Sequence, residues 1–442
     1  MDDINLMSAA LLRVEIQKKN IGVEEATRAY LERIEKYDQP SGLNTVAEIN
    51  EAAIEQARRL DSAKTGQDSL LFGLPILVKD NIDVQGLHTT AGSLALSDNI
   101  ARNNAPVIEN AVRNGAVILG KTNMTEFANY TSQSMPNGFS SRGGFVRSAY
   151  DREKDPSGSS TGSAVAVSAC FCSMAIGTDT SFSIVGCATV NGVTGLKPPV
   201  GTLPAKGIVP ISTTLDSAGA LAHDLADAIL LYSGMSEKPI EPVQSKSPKQ
   251  LRIAVNTFNH DKVSANQLSK YEDLFKELRS DGAKIEQIVQ PYSPYQRAVM
   301  QCEFKLELES YLAASAAKRK SLKDIIKFYE AEPDKRMPYG ISMLTAAEGS
   351  CAEDAIYQEA IRQRNVMRDQ VQRELENYDV CVMTGPTNIM HFVGLPSLAL
   401  ELGMGEDGMP RGIIMYGANE RRLLSAALTI EKYCLPVTAP KL

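Results

Sequence analysis

The stretch Ala164–Ile176 (AVAVSACFCSMAI) constrains the fold of this chain more than any other segment. It is the longest nearly apolar run, interrupted only by serines, and it carries no charge. It is too short to cross a bilayer, which takes about 20 residues. Small side chains on every side predict a helix over 163–175 without a polar face, and such a helix must be enclosed all round by other elements. The rest of the chain therefore has to supply layers.

The flanking segments read as those layers. Two helices fill 5–37, broken at Asn20-Ile21-Gly22, with Glu24 and Glu25 suited to the dipole of the second. An Ala-rich helix is predicted over 45–64, a buried strand over Ile76-Leu77-Val78 ending at Lys79, a helix over 105–114 and a strand over 116–119. Residues 130–162 are rich in Ser, Gly, Pro and Asn and read as a long functional loop. Short strands are predicted within 176–215 and a helix over 222–234. The stretch 237–250 has the composition of a linker. A strand at 252–255, helices at 264–280, 300–317 and 353–377, a strand at 380–383 and a helix at 420–433 follow. Alternation of this kind predicts an α/β fold with a largely buried sheet.

Composition excludes several function classes. Lys plus Arg is 46 against 53 Asp plus Glu, a formal charge of −7, so no electrostatic footprint for nucleic acid or anionic lipid exists. Trp is absent and aromatics make up 6%, which leaves little for base stacking. The start, MDDINLMSAALL, is acidic and lacks a signal peptide's basic and apolar regions. The 7 Cys are odd in number and scattered, which reads as buried thiols in a reducing cytoplasm. The four His are isolated, so no metal site is expected.

Three motifs mislead. Gly115–Thr122 fits the G-x4-G-K-[ST] phosphate loop, but Ala, Val, Ile and Leu at the variable positions favour a strand. Gly158-Ser159-Ser160-Thr161-Gly162 fits the nucleophile elbow with Ser160 as nucleophile. An elbow needs a strong strand before it, and Asp151–Pro156 is charged and broken by proline; His223, His260 and His391 offer no convincing partner. Ser315-Ala-Ala-Lys318 fits S-x-x-K without the companion motifs and reads as an exposed helix face.

What remains is a lysine at a strand end (Lys79), a hydroxyl loop (Ser157–Ser163) and a hydroxyl-rich turn (Gly177–Ser183). A lysine serves as a general base when burial brings its pKa from about 10.4 to near 7–8, at roughly 4 kcal/mol of lost charge stabilisation. A base distant from its nucleophile needs an intervening hydroxyl, which the serine loop offers.

From Ile4 to Lys432 the sequence resembles the amidase signature family. The resemblance is carried by Gly73-Leu-Pro-Ile-Leu-Val-Lys79-Asp-Asn, Gly115–Phe127, Asp155–Ser163 and Gly177–Pro198. Weaker echoes are Leu215-Asp216-Ser217, Tyr378-Asp379-Val380 and Gly394-Leu-Pro-Ser397. The wording SGSSTGSAVAV and Glu303–Tyr311 are similar to the bacterial peptide-amidase branch. The resemblance implies one large α/β/α domain spanning 1–442, with a mixed twisted sheet flanked by helices. Within it lie a helical N-terminal region (1–65), a catalytic core (66–235) and a C-terminal portion (250–442).

The resemblance further implies hydrolysis of a carboxamide C–N bond through an acyl-enzyme. Lys79 corresponds to the base, Ser159 to the relay serine on a cis peptide, and Ser183 to the nucleophile. The N–H groups of Thr180, Ser181, Phe182 and Ser183 would face the oxyanion, and Ser160 and Thr178 match supporting hydroxyls. No cofactor or metal is implied. The implied partner is a small-molecule or peptide amide, with no nucleic acid and no membrane, and a homodimer is left open.

The chain departs from the family pattern at three places. Ser181-Phe182 replaces the usual glycine-containing pair; if position 182 needs φ > 0, Phe there costs about 1–3 kcal/mol. Val185 stands where many members carry Arg. The stretch Thr384–Gly394 is short. Two alternatives follow: a binding or scaffold protein whose site Phe182 has impaired, and the ammonia-producing subunit of an amidotransferase.

Overall fold

Strand ends that converge on one edge of a buried sheet set the architecture. The computed structural model describes residues 4–38, 42–63 and 66–442. The strands are β1 (Val46–Ile49), β2 (Pro75–Lys79), β3 (Val117–Thr122), the small hairpin β4 (Phe139–Ser140) and β5 (Gly144–Phe145), β6 (Met174–Asp179), β7 (Thr194–Lys197), β8 (Ser217–Ala222), β9 (Arg252–Asn256), β10 (Lys284–Ile288), β11 (Val380–Met383), β12 (Ser397–Met404) and β13 (Pro410–Tyr416). All but the hairpin form one 11-stranded sheet in the order β1-β3-β2-β6-β8-β7-β12-β13-β11-β9-β10. The sheet is mixed: β3, β2 and β6 are parallel, β6 to β8, β7, β12, β13 and β11 pair antiparallel, and β9 and β10 return to parallel. Helices flank it, giving a single α/β domain.

Central strands β2, β6, β7 and β8 are buried throughout, which is why they read as apolar or small-residue runs without alternation. Because β2 and β6 are parallel and in register at Val78 and Ile176, their C-terminal ends lie side by side. This register brings Lys79 next to Gly177 and Thr178.

The apolar run divides differently from expectation. The helix covers Thr161–Ser168, with all eight residues buried, and the chain then turns through Cys170 (φ 57°) into β6. An apolar run cannot by itself separate buried helix from buried strand; here pairing of Met174–Ile176 with β2 decides. The expected helix 45–64 is corrected likewise: 46–49 is an edge strand on β3, followed by a helix at Ala53–Asp61. Lys64 and the first three residues of the acidic start lie outside the described residues. The helix Val185–Asn191, strand β10, the β12–β13 hairpin and the helices Leu322–Ala331 and Ser342–Glu348 have no counterpart in the sequence reading. The linker-like 237–250 separates no bodies: Lys246 N–H donates to Thr429 Oγ1 (3.0 Å), and Ser425 Oγ donates to Gln244 O (2.5 Å).

The phosphate-loop look-alike is strand β3. Lys121 is buried, and its Nζ donates to Ile82 O (2.6 Å), His88 O (2.9 Å) and Thr89 Oγ1 (3.2 Å), so it fastens the 82–89 segment to the sheet. Ser315 Oγ caps its own helix by donating to Leu312 O (2.9 Å), while Lys318 is exposed. Five cysteines are buried, but Cys351 is exposed and Cys434 partly so. No helix among the described residues is long and apolar enough to cross a membrane.

Glycine is required where the buried helix meets the sheet. A Cβ at Gly162 would run into the carbonyl oxygens of Asn123 and Thr45. These are backbone atoms that cannot move without disturbing β1 and β3. Gly162→Ala is therefore expected to lower the unfolding free energy by about 1–3 kcal/mol, read by denaturant or thermal unfolding.

Candidate active site

Lys79 is the last residue of β2, and its side chain is fully buried. Its Nζ meets Ser159 Oγ at 2.8 Å, Ser160 Oγ at 3.0 Å, Thr178 Oγ1 at 2.8 Å and Thr178 O at 3.2 Å. Burial lowers its pKa to about 7, opposed by Cys187, Asp179 and Asp216 nearby. A half-neutral amine near pH 7 is the form a base needs.

The next link is Ser159, which follows a cis Gly158–Ser159 peptide bond. Its Oγ lies 3.0 Å from Ser183 Oγ, so the buried polar chain runs Lys79–Ser159–Ser183. Ser160 starts the buried helix and sits over Gly177, where a Cβ would come within 2.8 Å of Ser160 Oγ. The Ser160 hydroxyl donates to Thr178 O (2.9 Å). It supports Lys79, and its side chain makes no hydrogen bond to Ser183. Thr178 Oγ1 is held in turn by Asn81 Nδ2 (3.1 Å).

Ser183 sits in the turn between β6 and the helix Val185–Asn191. Asp179 caps that helix: its Oδ2 accepts from Ile184 N–H (2.7 Å) and Val185 N–H (3.2 Å). Thr180 Oγ1 donates to Asp216 Oδ1 (2.6 Å), and Asp216 Oδ2 also accepts from Ile211 and Ser212 N–H (2.8 and 3.0 Å). Burial pushes the Asp216 carboxyl up to about 6, and those donors hold it from rising further. Ser181 and Phe182 are half-buried at the outer face of the turn.

Phe182 has φ 67°, the left-handed geometry that the sequence made conditional. Its N–H, expected among the oxyanion donors, donates instead to His391 Nε2 (3.3 Å). The two rings meet edge to face, 4.4 Å between centroids. His391 Nδ1 lies 3.3 Å from Asp179 Oδ1, and burial, with Lys197 adding to it and Asp179 opposing it, brings its pKa down to about 4. An acid–histidine pair thus stands beside a serine, but the ring addresses a backbone amide instead of the Ser183 hydroxyl.

The structure brings Lys79, Ser159, Ser160, Thr178 and Ser183 into one hydrogen-bonded cluster. It directs the Thr180 side chain to Asp216 and the Phe182 amide to His391. Asn81 and Asp179 escaped sequence reasoning, and His391 figures there only as a partner weighed for Ser160 and set aside. The first two lie inside motifs already singled out, and His391 had no local signal. No cluster of His, Cys, Asp and Glu among the described residues could hold a metal. A cleft of about 890 Å³ between 99–104, 205–210 and the helix Gln296–Ala314 approaches the Asn81–Thr178 side through Ala205, Ile208 and Pro210.

Comparison with known proteins shows the family of the chain. The Amidase family model matches residues 25–391. An amidase family protein from Bacillus anthracis superposes with a TM-score of 0.93 at 30% identity, covering 100% of this chain and 93% of that one. Native peptide amidase from Stenotrophomonas maltophilia gives 0.89 at 30% identity, covering 98% of each chain. A glutamyl-tRNA(Gln) amidotransferase subunit of Caldanaerobacter subterraneus is 30% identical, over 95% of each chain.

The buried amine couples to stability. Between its folded pKa of about 7 and the ordinary 10.5, the folded chain binds fewer protons at Lys79 than the unfolded one, so stability rises with pH across that window. Lys79→Met is expected to flatten the rise by up to about 1.4 kcal/mol per pH unit, read by denaturant unfolding from pH 7 to 9.5.

Proposed function

The chain belongs to the Amidase family and is a hydrolase of carbon–nitrogen amide bonds, and from that premise we propose that Ser183 is its nucleophile, Ser159 its proton relay and Lys79 its base. The observation that carries this reading is the unbroken buried chain from Lys79 Nζ through Ser159 Oγ to Ser183 Oγ, at 2.8 and 3.0 Å.

The direction of proton flow follows from the partners. The Ser160 hydroxyl proton is engaged by Thr178 O, and Thr178 Oγ1 already accepts from Asn81. Ser159 is the hydroxyl beside Lys79 that also reaches Ser183, so it is the one able to turn its proton onto the lone pair of a neutral amine. Ser183 Oγ then attacks the substrate carbonyl while its proton passes to Ser159, and the Ser159 proton passes to Lys79. Collapse of the tetrahedral adduct breaks the C–N bond, and the relay returns the proton to the departing nitrogen. Water repeats the sequence on the acyl-enzyme.

The oxyanion donors are the N–H groups of Thr180, Ser181 and Ser183, each worth about 3–4 kcal/mol in the transition state. Phe182 N–H is not among them because His391 engages it. The substrate is a small or peptide-like carboxamide, a reading supported by likeness to peptide amidase over the whole chain. A scaffold role is disfavoured, because a silent site has no need of a buried lysine held by three hydroxyls. The likeness to an amidotransferase subunit supports a second reading, in which the same chemistry releases ammonia for a partner.

A fluorophosphonate should phosphonylate Ser183 and spare Ser183→Ala, read by intact mass. Lys79→Ala should lower kcat by about 10³-fold or more, with circular dichroism unchanged. The wild-type kcat/KM should rise with pH through an apparent pKa near 7, as the amine loses its proton. Hydrolysis of a simple amino-acid amide by the monodisperse chain alone separates a free-standing amidase from a partner-dependent one.

A further inference from the structure

Ser183 is bracketed by two buried side chains that also face each other. On its far side, Asp179 Oδ2 takes the N–H groups of Ile184 and Val185 (2.7 and 3.2 Å). On its near side, His391 Nε2 takes the N–H of Phe182 (3.3 Å). Asp179 Oδ1 and His391 Nδ1 approach to 3.3 Å without forming a hydrogen bond. The turn's carbonyls are tied as well: Phe182 O accepts from Gly186 N–H (2.8 Å) and Ser183 O from Ser160 N–H (3.2 Å). Among the described residues, the N–H groups of Ser181 and Ser183 have no acceptor, which leaves them open toward a bound carbonyl.

Phe182 is the weak point of this arrangement. At φ 67° Phe182 holds the left-handed geometry that disfavours any residue with a Cβ. A turn built on it would relax unless something held it. His391 supplies both an acceptor for the amide and a face for the ring, 4.4 Å between centroids. It comes from the short helix Ile389–Phe392, whose first turn is anchored by Asn388: Ser293 N–H donates to its Oδ1 (2.7 Å), and its Nδ2 donates to Ser293 O (2.9 Å). Nε2 accepts from the Phe182 amide, which requires that nitrogen to be unprotonated and the ring neutral, and Nδ1 lies near Asp179 Oδ1 with no hydrogen bond between them. The neutral ring agrees with its low pKa.

We propose that His391 is a positioning residue for the hydrolytic reaction: it pins the Phe182 amide and so aims the Ser181 and Ser183 N–H groups at the developing oxyanion. This rests on the reading of Ser183 as the nucleophile. His391 and Phe182 form a coupled pair, and a glycine at 182 would make the pin less necessary.

The test compares wild type, His391→Leu, His391→Gln and Phe182→Gly with and without His391→Leu. The readouts are the second-order rate of fluorophosphonate labelling at Ser183, kcat and KM on an amino-acid amide, and Tm. His391→Leu should slow labelling and kcat by about 10- to 100-fold with KM within about twofold. His391→Gln, whose carbonyl oxygen reaches the same amide, should recover most of the loss. In the Phe182→Gly background the His391→Leu penalty should shrink to a few-fold. If His391→Leu does not fold, His391→Asn, too short to reach the amide, takes its place against His391→Gln. Wild type that labels at Ser183 with His391→Leu within twofold of it overturns the inference alone, as does a Gln variant no faster than Leu or Asn. Wild type that does not label at Ser183 overturns the nucleophile assignment and this inference with it.

Discussion

A charged amine moved out of water costs more than any single contact around it returns, and the structure is arranged about that fact. Lys79 stands at the end of a strand buried on both faces, so its charged form is penalised and its pKa falls to about 7. The same burial would be ruinous without partners. Ser159, Ser160 and Thr178 supply them, and Asp179 and Asp216 keep the pKa from falling further. A shallower pocket would leave an inert ammonium, and a drier one an amine that never holds a proton.

That environment depends on small residues. Gly177 lets Ser160 approach β6, and Gly162 lets the buried helix lie against the backbone of Asn123 and Thr45. The helix has no polar face because it has no exposed side; Thr161 Oγ1 donates to Ser157 O, and Ser163 Oγ bonds Thr122 Oγ1 and Ile176 O. Close packing and site geometry are therefore one constraint. The hydroxyls stand within reach of the amine because nothing larger than glycine separates the layers.

The second half of the chain reaches the site through the sheet, through the short helix Ile389–Phe392, and through the helix Gln296–Ala314, whose Gln296 Nε2 donates to Thr180 O (3.3 Å). β12 pairs with β7, so the C-terminal strands extend the sheet that carries Lys79. The segment before β12 delivers His391 to the turn. Phe182, which read as a possible lesion, is accommodated by a residue more than two hundred positions away. The departure at 182 and the presence of a buried histidine explain each other only in three dimensions.

Much of this was legible in the sequence. Lys79 could be assigned to a strand end because Ile76-Leu77-Val78 is apolar and followed by polar residues. Lys121 could be denied a phosphate role because its neighbours favour a strand. The alternation of elements gave the α/β class. Misreadings fell where long-range pairing overrides local preference, at the edge strand 46–49 and at the end of the buried helix. The β12–β13 hairpin and His391 left no local pattern to read. Residue types and their order are local properties, so the sequence by itself determined which groups can do acid–base and nucleophilic chemistry and on which elements they ride. Desolvation and hydrogen-bond partnership are set by neighbours distant along the chain. Only the tertiary structure could decide that one lysine is half-neutral, that one serine joins it to another, and that a histidine holds an amide instead of a hydroxyl.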